Sequence, residues 1–175
     1  ERYALYINLY NARTLQVVLD GDPKESIRDL SKARLGFGIF YKKLIDFDGE
    51  TISLNALEKR LREESGDPRV HFAVNCASHS CPALRSEAYN TADLEFQLDS
   101  SARQFLADSS KNQFDKRQRI AWISSIFKWF REDFERHSGN LQAYLAQYVA
   151  DPEVAQLLRD EAFEVRFLDY DWSLN

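Results

Sequence analysis

The sequence contains no methionine, even at its first position, and has only two cysteines and three histidines among its 175 residues. A newly made chain starts with methionine, so we expect this one to be a processed product or an excised piece that has lost any signal peptide. No apolar run reaches the roughly 18 residues of a membrane-spanning helix, so we expect no membrane span within it. Because cysteine and histidine are the side chains that titrate closest to neutral pH, this chain has few candidate groups for acid–base or nucleophilic chemistry at that pH.

An excess of charge of one sign is also lacking. The 23 basic and 28 acidic residues are interspersed and leave a net charge of −5. Proteins that bind nucleic acid usually carry a basic patch or stripe, so we expect no nucleic-acid partner. The apolar content of 44% suits a folded chain, and the length fits one domain over residues 1–175.

The hydrophobic pattern predicts helices in most of the chain. Residues 1–20 are apolar nearly all round a helix, which predicts burial at the centre of the fold. The Asp48-Gly49 pair predicts a hairpin, and Ser53 is placed to cap the helix that follows. We expect an α+β fold, a mostly helical single domain with a small mixed or antiparallel sheet. The strands predicted for this sheet are residues 70–75, 113–123 and 163–170.

Three polar side chains stand in apolar helical stretches. Asn8 and Asn11 lie three positions apart on one helix face. Asp133 falls on the apolar seam of a later helix. A buried polar group without a partner costs about 1–3 kcal/mol, so each needs a definite partner. The amides could bind a neighbouring loop or orient a catalytic or ligand group, and Asp133 could bind a histidine, a backbone amide or the nearby His137.

The segment 70–84 holds both cysteines and two of the three histidines. Its apolar start is typical of a buried strand, and small polar residues and a proline follow Asn75. A strand that ends in such a turn delivers reactive side chains to the surface. We predict that His71, Cys76, Asn8 and Asn11 converge on one cavity.

Four motifs in order carry a resemblance to a known family. They are Tyr6-Ile7-Asn8-Leu9-Tyr10-Asn11, the run from His71 to Leu84, Phe127-Lys128-Trp129-Phe130 with Asp133-Phe134, and Tyr170-Asp171-Trp172-Ser173-Leu174-Asn175. Together they resemble the domain of unknown function 547 family. The resemblance implies a portable module without a settled activity, found in bacterial proteins behind an export signal and in plant proteins behind a helical zipper. It favours a periplasmic or secreted location.

The cysteine pair admits several chemical states, which the sequence leaves open. A Cys76–Cys81 disulfide would close a small loop. A free Cys76 thiolate would be a nucleophile, with His71 as the candidate base, although a straight strand would separate the two by about 16 Å. A zinc site would use both cysteines and His79 but lacks a fourth clustered ligand, and the thiols could also be free and structural.

Two functions follow from these alternatives. The first is a thiol-dependent hydrolase or transferase acting on an amide or thioester of a small peptide-like substrate. Its catalytic set would be Cys76, His71, Asn8, Asn11 and Asp133. The second is a noncatalytic module that binds a small-molecule or peptide ligand or another protein, with a disulfide holding its recognition loop. Ser78, Ser80 and Cys81 are the candidate ligand-binding residues, as a small anion-binding turn, and we expect no metal and no cofactor.

Overall fold

The computed structural model describes residues 2–175, apart from the side chains of residues 33 and 34. The described chain forms two compact units. The first unit runs to Ser65 and adds Phe72–Leu94 and Asp171–Asn175, and the second unit comprises Gly66–His71 and Glu95–Tyr170. Helices dominate both units and the strands form two small sheets, which confirms the expected mostly helical α+β class.

The first unit begins with the helix α1 (Arg2–Gly21). One face of α1 is buried and includes Ile7 and Tyr10. The opposite face is open to solvent, because Leu15 is 48% and Leu19 79% exposed. The prediction of a centrally buried helix was therefore wrong. Apolar side chains lie all round α1, but only one face is covered, and the uncovered leucines remain at the surface.

The rest of the first unit is built around a hairpin. A short helix α2 (Gly38–Tyr41) leads into strands β1 (Lys43–Phe47) and β2 (Glu50–Ser53), which pair antiparallel. Asp48 and Gly49 both have positive φ, at 51° and 80°, as a two-residue hairpin turn requires. The hydroxyl of Ser53 accepts the Ala56 N–H at the start of α3 (Leu54–Ser65), which confirms the predicted cap.

Residues 70–75 form no strand, which corrects the sequence prediction. A 3-10 helix (Pro68–Phe72) is followed by irregular chain. The Asn11 side chain binds the carbonyl of Ala73 and the N–H of Asn75, two groups that a neighbouring strand would otherwise bind. The segment is apolar because it is buried. Periodicity alone does not distinguish such a run from a strand.

The second unit contains the remaining helices and a three-stranded sheet. The elements are α4 (Leu94–Ala107), β3 (Gln113–Asp115), β4 (Ile120–Ile123), α5 (Ile126–Trp129), α6 (Arg131–Ser138), α7 (Leu141–Leu145), α8 (Pro152–Arg159) and β5 (Glu164–Phe167). The strand order is β3-β4-β5, with β3 antiparallel and β5 parallel to β4. Residues 113–123 are thus a hairpin rather than one strand, because Arg119 turns the chain at a φ of 58°. Residues 163–170 contribute β5, close to the prediction.

Within residues 2–175, no helix is both long and apolar enough to cross a membrane. This agrees with the expectation from the sequence.

Candidate functional site

Two asparagines of α1 fasten the irregular segment of the first unit. Asn11 donates from Nδ2 to the Ala73 carbonyl at 2.8 Å and accepts the Asn75 N–H through Oδ1 at 2.9 Å. Asn8 binds both backbone groups of a single residue. It donates to the Tyr89 carbonyl at 2.8 Å and accepts the Tyr89 N–H at 2.9 Å. Each side-chain amide thus takes the place of a peptide group in a strand ladder. The two asparagines bind the backbone, one of the alternatives that the sequence left open.

A third asparagine shapes the turn that carries the cysteines. Asn75 donates from Nδ2 to the Pro82 carbonyl at 2.8 Å and accepts the Ala77 N–H at 2.7 Å. Ala77 has a φ of 59°, in the left-handed region that L-residues rarely occupy. The short bond from its N–H to Asn75 helps to hold it there. The apolar pattern marks Asn75 only as the end of a strand, although an amide inside a buried apolar run was a usable signal.

Cys76 and Cys81 form a disulfide, with Cα atoms 6.3 Å apart. It closes residues 76–81, which we call the disulfide loop. The Cys76 N–H donates to the Cys81 Sγ at 3.0 Å, and the Ser78 Oγ lies 3.2 Å from each sulfur. A loop this short contributes about 2 kcal/mol of stability through chain entropy. In this state neither sulfur is a thiolate, so neither acts as a nucleophile or binds a metal.

The disulfide loop is also held by the last residues of the chain. The His79 N–H donates to the Ser173 carbonyl at 2.7 Å, and the Ser80 N–H donates to the Asp171 carbonyl at 3.2 Å. The Ser80 hydroxyl accepts the Asp171 N–H at 2.9 Å. These bonds occupy two backbone N–H groups that the predicted anion-binding turn would have used. Hydrogen bonds from Ser173 lower the pKa of the Asp171 carboxyl below its ordinary value.

A small cavity of about 150 Å³ opens between α1 and this loop region. Its wall is mostly apolar. The lining residues are Asn11, Thr14, Leu15, Val18, Asn75, Ala77, Leu84, Leu174 and Asn175. The Thr14 hydroxyl is buried and has no hydrogen-bond partner among the described residues. Thr14 is not recognisable as a site residue from the sequence, because the hydroxyl of a helical threonine can bind a preceding carbonyl.

In the second unit, Asp133 binds His71. The Oδ2 of Asp133 lies 3.0 Å from the Nε2 of His71, whose ring stacks on Phe130 with centroids 4.1 Å apart. The His71 side chain is almost fully buried and that of Asp133 is 18% exposed. Asp133 also lies 3.5 Å from the Arg136 guanidinium. A buried histidine and a partly buried carboxylate thus satisfy each other, and His137 instead approaches the ring of Tyr144.

Arg69 is a partly buried charge of the second unit that was not predicted from the sequence, and its side chain is 13% exposed. Its guanidinium binds Asp67, Glu95 and Asp99, with the closest N···O distances between 2.6 and 2.7 Å. The hydrogen bonds that Arg69 donates to Asp67 are the largest of the effects that raise the pKa of Arg69. Glu95 and Asp99 lie one turn apart on α4, so an acidic pair at this spacing was the available signal.

The structure thus places the predicted site residues in two sets. Asn8, Asn11 and the disulfide loop belong to the first unit, and His71 and Asp133 belong to the second. Among the described residues, no group of three or more histidines, cysteines, aspartates or glutamates is placed to hold a metal ion. The convergence of Asn8, Asn11, His71 and Cys76 on one cavity stays a prediction. Of these residues, Asn11 alone lines the cavity of about 150 Å³ described above.

Comparison with known proteins gives one match. No curated protein and no solved structure matches the chain. A family described as protein of unknown function, DUF547, matches residues 1–106. The match includes the asparagine motif of α1 and the whole disulfide loop, and it ends before the later motifs at 127–134 and 170–175. Since it covers more than half of the 175 residues, the chain belongs to the DUF547 family.

Proposed function

We propose that this protein is a noncatalytic binding module whose recognition site is the cavity beside the disulfide loop. The observation that carries the proposal is the Cys76–Cys81 disulfide. A thiol-dependent hydrolase or transferase needs a free thiolate, and the disulfide removes it. The asparagines beside the loop are already used to fix backbone, which is the behaviour of a scaffold.

The cavity indicates the class of ligand. Its volume of about 150 Å³ is similar to that of an engineered protein cavity that takes up benzene. Leu15 and Leu84 line the cavity and remain 48% and 41% exposed, so its mouth is apolar as well. The side-chain amides of Asn11 and Asn75 lie on the wall but are engaged with backbone. We therefore propose a peptide or small molecule that inserts one branched aliphatic group.

We also propose that the protein is periplasmic or secreted. Disulfides form and persist in oxidising compartments, so a periplasmic or secreted protein suits a closed disulfide loop better than a cytosolic one does. The family resemblance favours the same location.

Titration with N-acetyl-leucinamide tests the binding site. We expect chemical-shift changes in amide NMR spectra at Leu15, Ala77 and Leu84. Val18→Phe places a ring in the cavity and should abolish them. Leu19→Phe is the matched control, because Leu19 is on the same helix but is 79% exposed and does not line the cavity. Shifts that persist in Val18→Phe, or none at millimolar ligand, would contradict the proposal.

A second measurement separates binding from thiol catalysis. Protein isolated from its native compartment is denatured without reductant and its thiols are counted. We expect no free thiol, because Cys76 and Cys81 are paired. Two free thiols would favour the hydrolase or transferase, with Cys76 as the nucleophile.

A further inference from the structure

The two sulfurs of the disulfide have different surroundings. Cys81 is buried, with 3% of its surface exposed, whereas Cys76 is half-buried. An attacking thiolate must reach the sulfur that it bonds to, so access favours attack at Cys76. Cys81 would then be the leaving group.

The hydrogen bonds favour the same direction. The Cys76 N–H donates to the Cys81 Sγ at 3.0 Å, and this bond distinguishes Cys81, because the Ser78 Oγ lies 3.2 Å from both sulfurs. Disulfide sulfurs carry no hydrogen, so the Ser78 hydroxyl is the donor. Hydrogen bonds to a charged acceptor are stronger than those to a neutral one, so both donors stabilise a thiolate on Cys81 more than they stabilise the disulfide.

The loop is also held by hydrogen bonds that do not involve the sulfurs. Asn75 bridges the Ala77 N–H and the Pro82 carbonyl, and the Cys81 N–H donates to the Ser78 carbonyl at 2.9 Å. Because none of these bonds uses a sulfur, we expect them to remain when the S–S bond is broken. The two thiols would therefore stay close together and could re-form the bond without a search through open conformations.

We propose that the Cys76–Cys81 disulfide is a thiol–disulfide exchange site for a dithiol, which goes beyond the binding role and does not depend on it. A thiolate of the dithiol bonds to the Cys76 Sγ, the S–S bond breaks, and its electron pair leaves on the Cys81 Sγ. Cys81 remains a thiolate, with hydrogen bonds from the Ser78 hydroxyl and the Cys76 N–H. The second thiol of the reductant then attacks the reductant's own sulfur in the mixed disulfide and releases Cys76. The dithiol is oxidised by two electrons, Cys76 is reduced to a thiol and Cys81 to a thiolate, and the remaining proton of the dithiol goes to solvent.

Equilibration of the folded protein with reduced and oxidised dithiothreitol tests whether the hydrogen-bond donors stabilise the reduced form. Alkylation of the free thiols stops the exchange, and mass spectrometry counts the labels on each protein molecule. The counts give the equilibrium constant for reduction of the Cys76–Cys81 disulfide. Ser78→Ala removes one donor and should lower this constant about tenfold, since a hydrogen bond to a charged group is worth at least that ratio. Ser173→Ala is the control. It removes a hydroxyl from the segment bonded to the same loop, without a hydrogen bond to either sulfur, and should leave the constant unchanged.

A second measurement uses the unaltered protein, because Ser78 is fully buried and its variant could fold poorly. The protein is treated with glutathione, a monothiol, and the mixed disulfide is located by peptide mapping. We expect the adduct on Cys76. An adduct on Cys81, or a disulfide that is reduced only as fast as the protein unfolds, would overturn the proposal. So would a folded Ser78→Ala protein whose equilibrium constant is within twofold of wild type.

Discussion

Replacement of Asn11 by leucine tests the side-chain amide that holds the irregular segment. Leucine is close to asparagine in shape and size but has neither donor nor acceptor. In the folded protein it would leave the Ala73 carbonyl and the Asn75 N–H without the partners at 2.8 and 2.9 Å. Asn11 is 7% exposed, so water has little access to replace those bonds.

The expected effect follows from the two orphaned backbone groups. A buried donor or acceptor without a partner costs about 1–3 kcal/mol, and burial of the leucine side chain returns part of this cost. We expect Asn11→Leu to lose about 3 kcal/mol of unfolding free energy. That is a large fraction of the 5–15 kcal/mol that is typical of whole domains.

Urea unfolding followed by circular dichroism measures this loss, with the midpoint compared at constant slope. Gln16→Leu is the control on the same helix, because Gln16 is exposed and, among the described residues, its side chain bonds to the nearby Arg13. This substitution should change the unfolding free energy by less than about 0.5 kcal/mol. If Asn11→Leu loses less than about 1 kcal/mol, the Ala73 and Asn75 backbone groups do not depend on the amide and our reasoning is refuted.

Three further predictions concern single side chains. Thr14→Val removes a buried hydroxyl that has no partner among the described residues and should raise the unfolding free energy by about 1 kcal/mol; a loss in urea unfolding would show that the hydroxyl is bonded. Asp133→Asn weakens the bond to buried His71 and should lower the unfolding free energy by about 2 kcal/mol; unchanged stability would mean that the carboxylate is dispensable. The folded pKa of Asp171 is lowered by hydrogen bonds from Ser173, so those bonds are stabilising above the ordinary value of 3.8 and are lost as pH falls through the lower folded pKa. The Ser173 amide proton should therefore shift in NMR spectra with a midpoint below pH 3.8, and a midpoint above that value would contradict the assignment.

The elements that could be predicted from the sequence are those with local causes. The Asp48-Gly49 turn and the Ser53 cap depend on residues within four positions of each other, and both are present. The helical stretches and the closing strand β5 also follow from periodicity over a few residues. The family resemblance required only motifs in order along the chain, and the match over residues 1–106 confirms the family.

Other outcomes depended on partners far away in the chain. Residues 70–75 have the composition of a strand, but Asn11, 62 positions before Ala73, binds their backbone. The burial of α1 depended on which face other elements cover, so Leu15 and Leu19 remain exposed. Asp133 had two candidate histidines, and the fold paired it with His71, 62 positions away, rather than with the nearby His137.

The sequence by itself determined the family, the fold class and the place where the chemistry is concentrated, because these depend on residue types and short spacings. Only the tertiary structure decided what that chemistry is. Five positions of separation allow Cys76 and Cys81 to be a disulfide, a metal pair or free thiols, and the choice depends on where the backbone turns. Here Asn75 and Asn11 fix that turn so that the two sulfurs meet.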